Sequence, residues 1–205
     1  VAVGKNALMD CTVSENTAIG FEALKLNTTG LYNTGIGCST LASNTTASYN
    51  TALGYFALYT NTTGSANVAL GSGSLEKTTT GSSNTSVGRN AMRENTTGSY
   101  CTSVGNGALN GNTTGGDNTA VGYYALNANT TGLNNVGIGN SALSTSTTAN
   151  ECTAVGYEAL KVNVASNNTA FGFRALTANT TGTNNTALGE KALTANTTGL
   201  YNTAV

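Results

Sequence analysis

The chain has no histidine, tryptophan or proline, only four cysteines, and eight basic and nine acidic side chains among 205 residues. Each scarcity removes a class of function. With a net charge of −1 there is no basic surface to neutralise phosphates, so nucleic-acid binding is not expected. No stretch approaches the roughly 18 apolar residues of a membrane span. Acid–base catalysis usually recruits histidine or a shielded carboxylate pair. Here the acids are scattered: Asp10, Glu15, Glu22, Glu76, Glu94, Asp117, Glu151, Glu158 and Glu190. Repeated glycine–aspartate calcium motifs are also missing, so neither enzyme activity, nor a cofactor, nor a metal stack is expected.

What fills the chain is a unit of 17 residues, Asn-Thr-Ala-Val-Gly-Tyr-x-Ala-Leu-x-x-Asn-Thr-Thr-Gly-x-x. Its glycines are Gly4, Gly20, Gly37, Gly54, Gly71, Gly88, Gly105, Gly122, Gly139, Gly156, Gly172 and Gly189. Two steps, Gly4 to Gly20 and Gly156 to Gly172, are 16 residues long. Such periods mean stacked units that contact mainly their neighbours, so residues 1–205 read as one continuous array with no separate domains. The chain begins and ends inside a unit and shows no targeting segment, which reads as a window on a longer array.

Columns are numbered here from the Asn that precedes Thr-Ala-Val-Gly. Column 4 is always large and apolar, from Val3 and Ile19 to Phe171 and Leu188. Column 9 is Leu in every copy except Met92. Columns 3 and 8 are almost always Ala, Ser, Gly or Thr. β-Branched residues and interior glycines argue against helix. The expected fold is all-β: a parallel β-solenoid of twelve coils, each with two strands of about five residues and two turns. Strand side chains alternate faces. Columns 4 and 9 are therefore expected inside, and the small residues of columns 3 and 8 outside, on a flat surface suited to packing against another copy. Stacked Asn and Thr rows are expected to form hydrogen-bonded ladders. The two short copies lose the Asn-Thr-Thr-Gly turn, so their irregularity is expected to fall in that turn and leave the stack intact.

The cysteines do not form a disulfide framework. Cys101 and Cys152 share a column but lie three coils apart, about 14 Å, against the roughly 7 Å between Cα atoms that a disulfide allows. Cys11 sits where other copies have Asn and Cys38 at the residue after a glycine; both read as drift at tolerant positions, and pairing between chains is unsupported by the sequence.

Asn-x-Ser/Thr is the acceptor for N-linked glycans. It recurs in the second turn at Asn27, Asn44, Asn61, Asn95, Asn112, Asn129, Asn179 and Asn196, and again at Asn84, Asn167 and Asn184. Turn chemistry with a stacked ladder is the plain reading of these asparagines. A spine of glycans along one edge, shielding a chain of few charges, is the sharper one. Aromatics gather after the glycine (Phe21, Tyr55, Tyr123, Tyr157, Phe173) and before the column 1 Asn (Tyr32, Tyr49, Tyr100, Tyr201). They suit covering the coil edge, packing on a neighbouring chain or stacking on sugar rings.

The segments Ala18-Ile19-Gly20-Phe21-Glu22-Ala23 and Ala120-Val121-Gly122-Tyr123-Tyr124-Ala125 carry a resemblance. Their Ala-aliphatic-Gly-x-x-Ala core, present throughout the array, resembles the head repeat of trimeric autotransporter adhesins. The whole unit also resembles repeat arrays of bacterial and phage-like tail-fibre proteins. The resemblance implies a left-handed parallel β-roll, assembly of three chains around an axis, and an extracellular or cell-surface setting. The Asn-Thr-Thr-Gly turn is an insertion relative to the adhesin coil. The functional expectation is a structural fibre or adhesin shaft that associates with copies of itself and carries glycans. Ice binding and carbohydrate binding are the alternatives.

Overall fold

A computed structural model describes residues 1–205. Thirteen strands, from β1 (Ala2–Val3) to β13 (Thr203–Ala204), form one parallel sheet in strict sequence order. Each coil contributes a single strand of columns 2 to 4. Thus β8 (Thr119–Val121) pairs with β9 (Val136–Ile138), with Thr119 opposite Val136 and Val121 opposite Ile138. The short step is absorbed without a register slip: Thr153 of β10 (Thr153–Val155) lies opposite Thr169 of β11 (Thr169–Phe171), and Leu160 stays fully buried. The missing residue comes out of the second turn, where Asn163-Val164-Ala165-Ser166 replaces a longer path.

The second expected strand does not form. Columns 7 and 9 have left-handed backbone in nearly every coil, as at Tyr124 (φ 52°) and Leu126 (φ 50°). The N–H of column 8 closes a tight turn onto the column 5 carbonyl (Ala125 to Gly122, 3.4 Å). The N–H of column 12 closes another onto column 9 (Asn129 to Leu126, 3.1 Å). Between these turns the column 9 N–H still reaches the next coil (Leu126 to Ala142, 2.9 Å).

This geometry decides what is inside. In an extended strand two adjacent side chains point to opposite faces. A left-handed residue breaks that alternation, so Ala125 and Leu126 both face the interior and both are fully buried. A non-glycine residue in this region costs about 1–2 kcal/mol, and burying a leucine returns about 1.5–3 kcal/mol. The core stripe is therefore the column 9 row, Leu24, Leu41, Leu58, Leu75, Met92, Leu109, Leu126, Leu143, Leu160 and Leu176, packed against the alanines of columns 3 and 8.

Column 4 lies on the other side of the sheet. Leu53 is 48% exposed, Phe171 46% and Leu188 50%, while Ala52, Ala170 and Ala187 of column 3 are fully buried. The expected assignment is reversed for the strand: the small residue is inside because the short coil has room only for an alanine between successive leucines. Where glycine replaces it at Gly137, an added Cβ would sit 3.1 Å from Leu126 Cγ. Columns 3 and 8 consequently offer no outer surface.

Candidate functional site

Three features face outward or line the coil edge: the sequon turn, the sheet face and the aromatic corner. The turn differs most from expectation. The asparagines of column 12 point into the coil, and Asn27, Asn44, Asn61, Asn95, Asn112, Asn129 and Asn179 have no exposed surface. Each amide donates to the carbonyl three residues on (Asn112 Nδ2 to Gly115 O, 2.9 Å) and to the column 12 side chain of the preceding coil, an asparagine (Asn112 Nδ2 to Asn95 Oδ1, 2.8 Å) except where Asn27 meets Cys11 Sγ and Asn95 meets Thr78 Oγ1. Asn196, in the last complete turn, makes the same pair of bonds to Gly199 and Asn179. Asn84, in column 1, is also fully buried, donating to Gly98 O and accepting from the Cys101 N–H.

A glycan on any of these nitrogens would displace both bonds and need room inside the stack. The expected glycan spine is overturned at these nine positions. The turn backbone lies at the surface, but its Asn side chain is the coil's internal polar staple. Only Asn167 and Asn184 among the sequons have exposed side chains.

The ladder reading holds in its place. The first Thr of Asn-Thr-Thr adds a second row, its hydroxyl donating to the carbonyl one coil away (Thr96 to Thr113, 2.9 Å; Thr113 to Thr130, 2.9 Å). Column 1 adds a third. Its Asn Oδ1 accepts the backbone N–H of the next coil's column 1 residue (Asn50 from Asn67, 2.9 Å), and its Nδ2 closes the coil onto column 15 (Asn50 to Gly64, 2.9 Å).

The column 12 ladder is interrupted at Thr78 and Ser146. Asn61 Oδ1 and Asn129 Oδ1, immediately before these positions, are the buried polar atoms left without a partner. Thr78→Asn and Ser146→Asn would each supply the missing N–H. Each is expected to raise stability by about 1 kcal/mol, because an orphaned buried acceptor is costly and the geometry already exists in neighbouring coils. Denaturant unfolding of the two variants measures the gain, and a loss in both would show that the orphan carbonyls are satisfied another way.

All four cysteines are free. Cys101 and Cys152 replace the column 1 Asn, are buried, and have their thiols pushed up by desolvation, away from the thiolate. No group of three or more acidic or sulfur ligands lies close enough together to hold a metal ion.

The sheet face carries columns 2 and 4. Column 2 is Thr in ten coils, from Thr17 to Thr203, with Val68 and Val136 the central exceptions. No charged residue occurs in either column; every Lys, Arg, Asp and Glu falls in columns 6, 7, 10, 11 or 17. The face is a charge-free strip of threonine and aliphatic rows running across the thirteen-stranded sheet.

Aromatic rings stack from coil to coil on both sides of the strand. Before the column 1 Asn, Tyr32 and Tyr49 lie 5.1 Å apart and nearly parallel; after the glycine, at the aromatic corner, Tyr157 and Phe173 do so at 5.3 Å. The charges there pair along the same edge: Glu158 accepts from Lys161 and Arg174 at 2.7 Å each, and Lys77 bonds Glu94 at 2.6 Å. Comparison with protein families, with curated proteins and with solved structures returns no match. The chain is thus defined by its architecture, a parallel β-solenoid of stacked 17-residue coils.

Proposed function

We propose that the chain is a structural segment of an extracellular fibre, which lies side by side with further copies of itself through the charge-free sheet face. The observation that carries this reading is the outward column 4. A row of Val, Ile, Leu and Phe crosses the whole sheet, and each of its members would normally be shielded from water. At about 4.8 Å per strand the strip is about 60 Å long, and with side chains about 10 Å wide. Two such strips meeting would bury about 1,200 Å² in total, the lower bound of stable protein interfaces. Column 4 makes up about half of each strip, and contiguous exposed apolar patches of a few hundred Å² mark interaction surfaces. The extracellular setting rests on the likeness of the Ala-aliphatic-Gly-x-x-Ala core to adhesin head repeats.

Light scattering coupled to gel filtration tests the association. The chain is expected at a multiple of its 20.5 kDa mass. Leu53→Lys combined with Val104→Lys and Ile138→Lys is expected to return it to a monomer, because the three side chains are exposed and like charges would then oppose each other across the interface. A native chain that stays monomeric at micromolar concentration would overturn the reading.

The outward Thr column also favours a second reading, ice binding, since it sets a regular hydroxyl row beside an apolar one. The varied size of column 4, from Val104 to Phe171, roughens that surface and favours the first reading. Thermal hysteresis of the monomeric lysine variant and the native chain separates the two.

A further inference from the structure

One cleft opens on the aromatic corner, about 340 Å³ in volume and centred on coils four to six. It is made by a step in the outer edge. Coil four carries Tyr55 and Phe56, whose rings lie 4.1 Å apart, and Tyr59 packs edge-on against Phe56 at 4.7 Å. The next coil has Gly73 at the position of Phe56, so the edge drops to bare backbone. The coil after that carries Asn90 and Arg93. Arg93 Nε donates to Glu76 Oε2 at 2.7 Å, which fixes both groups on the polar side of the cleft.

The other column 7 glycine makes no such opening. Above Gly107 the Tyr124 ring leans over the backbone, where an added Cβ would sit 2.6 Å from it. At Gly73 the residue leaning in is Asn90, whose Oδ1 would lie equally close to an added Cβ, at 2.6 Å, but whose shorter polar side chain leaves the cleft open where a tyrosine ring does not.

We propose that this cleft is a binding site for a neutral saccharide. Tyr55 and Phe56, tilted 48° to each other, line one side of the cleft, where a patch of C–H groups on a pyranose ring can lie against one ring, and the opposite side presents hydroxyl partners. The Asn90 side-chain amide offers both donors and an acceptor, and the Glu76 and Arg93 pair offers an acceptor and further N–H donors. Glu76 and Arg93 cancel in charge, which matches an uncharged ligand and disfavours an anionic one. The volume lies at the small end of the range for ligand pockets, the scale of one or two sugar rings. The fibre reading is independent of this site, because the cleft is lined by columns 6, 7 and 10 and the sheet face by columns 2 and 4.

Saturation-transfer difference NMR on the 205-residue chain tests it, with methyl glycosides of glucose, galactose, mannose and N-acetylglucosamine as probes. At least one probe is expected to bind saturably, with aromatic protons relaying the saturation. Phe56→Ala removes the wall. Gly73→Asn fills the step and pushes aside the flexible Asn90 side chain, whose Oδ1 would lie 2.6 Å from the new Cβ, and asparagine tolerates the left-handed backbone there (φ 68°). Each is expected to weaken binding by about tenfold or more, with circular dichroism unchanged. Tyr123→Ala, two coils beyond the cleft and not part of its lining, is expected to leave binding intact. Absence of saturable binding by every probe, or affinity unchanged in both cleft variants, or an equal loss from Tyr123→Ala, would overturn the assignment.

Discussion

Gly122→Ala is expected to unfold the middle of the array. Gly122 has φ 130°, a region open to glycine alone. An added Cβ would lie 2.7 Å from the carbonyl oxygen of Gly139 and 2.8 Å from its carbon. Both are backbone atoms of the next coil, directly after β9 and held by the Gly139 N–H bond to Val121 O (2.8 Å) and the Ala142 N–H bond to Gly139 O (3.3 Å), so neither can move aside without opening the stack. Conformational strain of about 1–3 kcal/mol and a comparable overpacking term together reach about 4 kcal/mol.

Gly189 separates the two contributions. It shares the backbone geometry (φ 128°), but the nearest atom to an added Cβ is Val205 C at 3.8 Å. Gly189→Ala in the same 205-residue chain should therefore show the strain alone, about 1–3 kcal/mol. Denaturant titration followed by circular dichroism reads both. Equal losses at the two positions would mean that the close approach of successive coils contributes nothing.

Leu126→Asp should be as damaging, and Val121→Asp should not. Leu126 is fully buried between the alanines of its own and the neighbouring coils, and no cation lies inside the stack to pair with a carboxylate. Burying that charge should cost about 4–5 kcal/mol or more. Because each coil is stabilised by its neighbours, the damage should spread to the coils on either side. Val121 sits five residues earlier on the outward face, where a carboxylate stays hydrated, and its replacement should cost about 1 kcal/mol. Hydrogen exchange gives the spatial pattern: the Leu126 amide, bonded to Ala142 O, should lose protection in the first variant and keep it in the second. Similar losses from both substitutions would put column 4 back in the core.

The contrast between these two columns shows how far the sequence can be read. Hydrophobicity alone marks both as interior. Their size variation does not. Column 9 is fixed at Leu, with one Met, and column 3 never exceeds Ala or Ser, whereas column 4 runs from Val to Phe. A closed interior tolerates little change in volume, and an outer face tolerates much. Constancy of volume was the available signal for inside and outside. The sequons misled for a related reason: Asn and Thr favour turns whether their side chains point out to a glycan or in to a ladder. Motif matching sees only the residue types.

The 17-residue period, the twelve glycines, the parallel stacking in register and the Asn and Thr ladders were all determined by the sequence itself. They depend on identical residues recurring at fixed intervals, and translation along a stack is the packing that brings each onto its copy. The direction each side chain takes within a coil was decided by the tertiary structure. Left-handed backbone at columns 7 and 9 replaces the second strand by turns, turns Ala and Leu inward together, and sends column 4 outward. That geometry is stable only when the next coil is present to bury the leucine and to accept its N–H. No single unit of sequence contains those partners, so only the assembled stack could settle it.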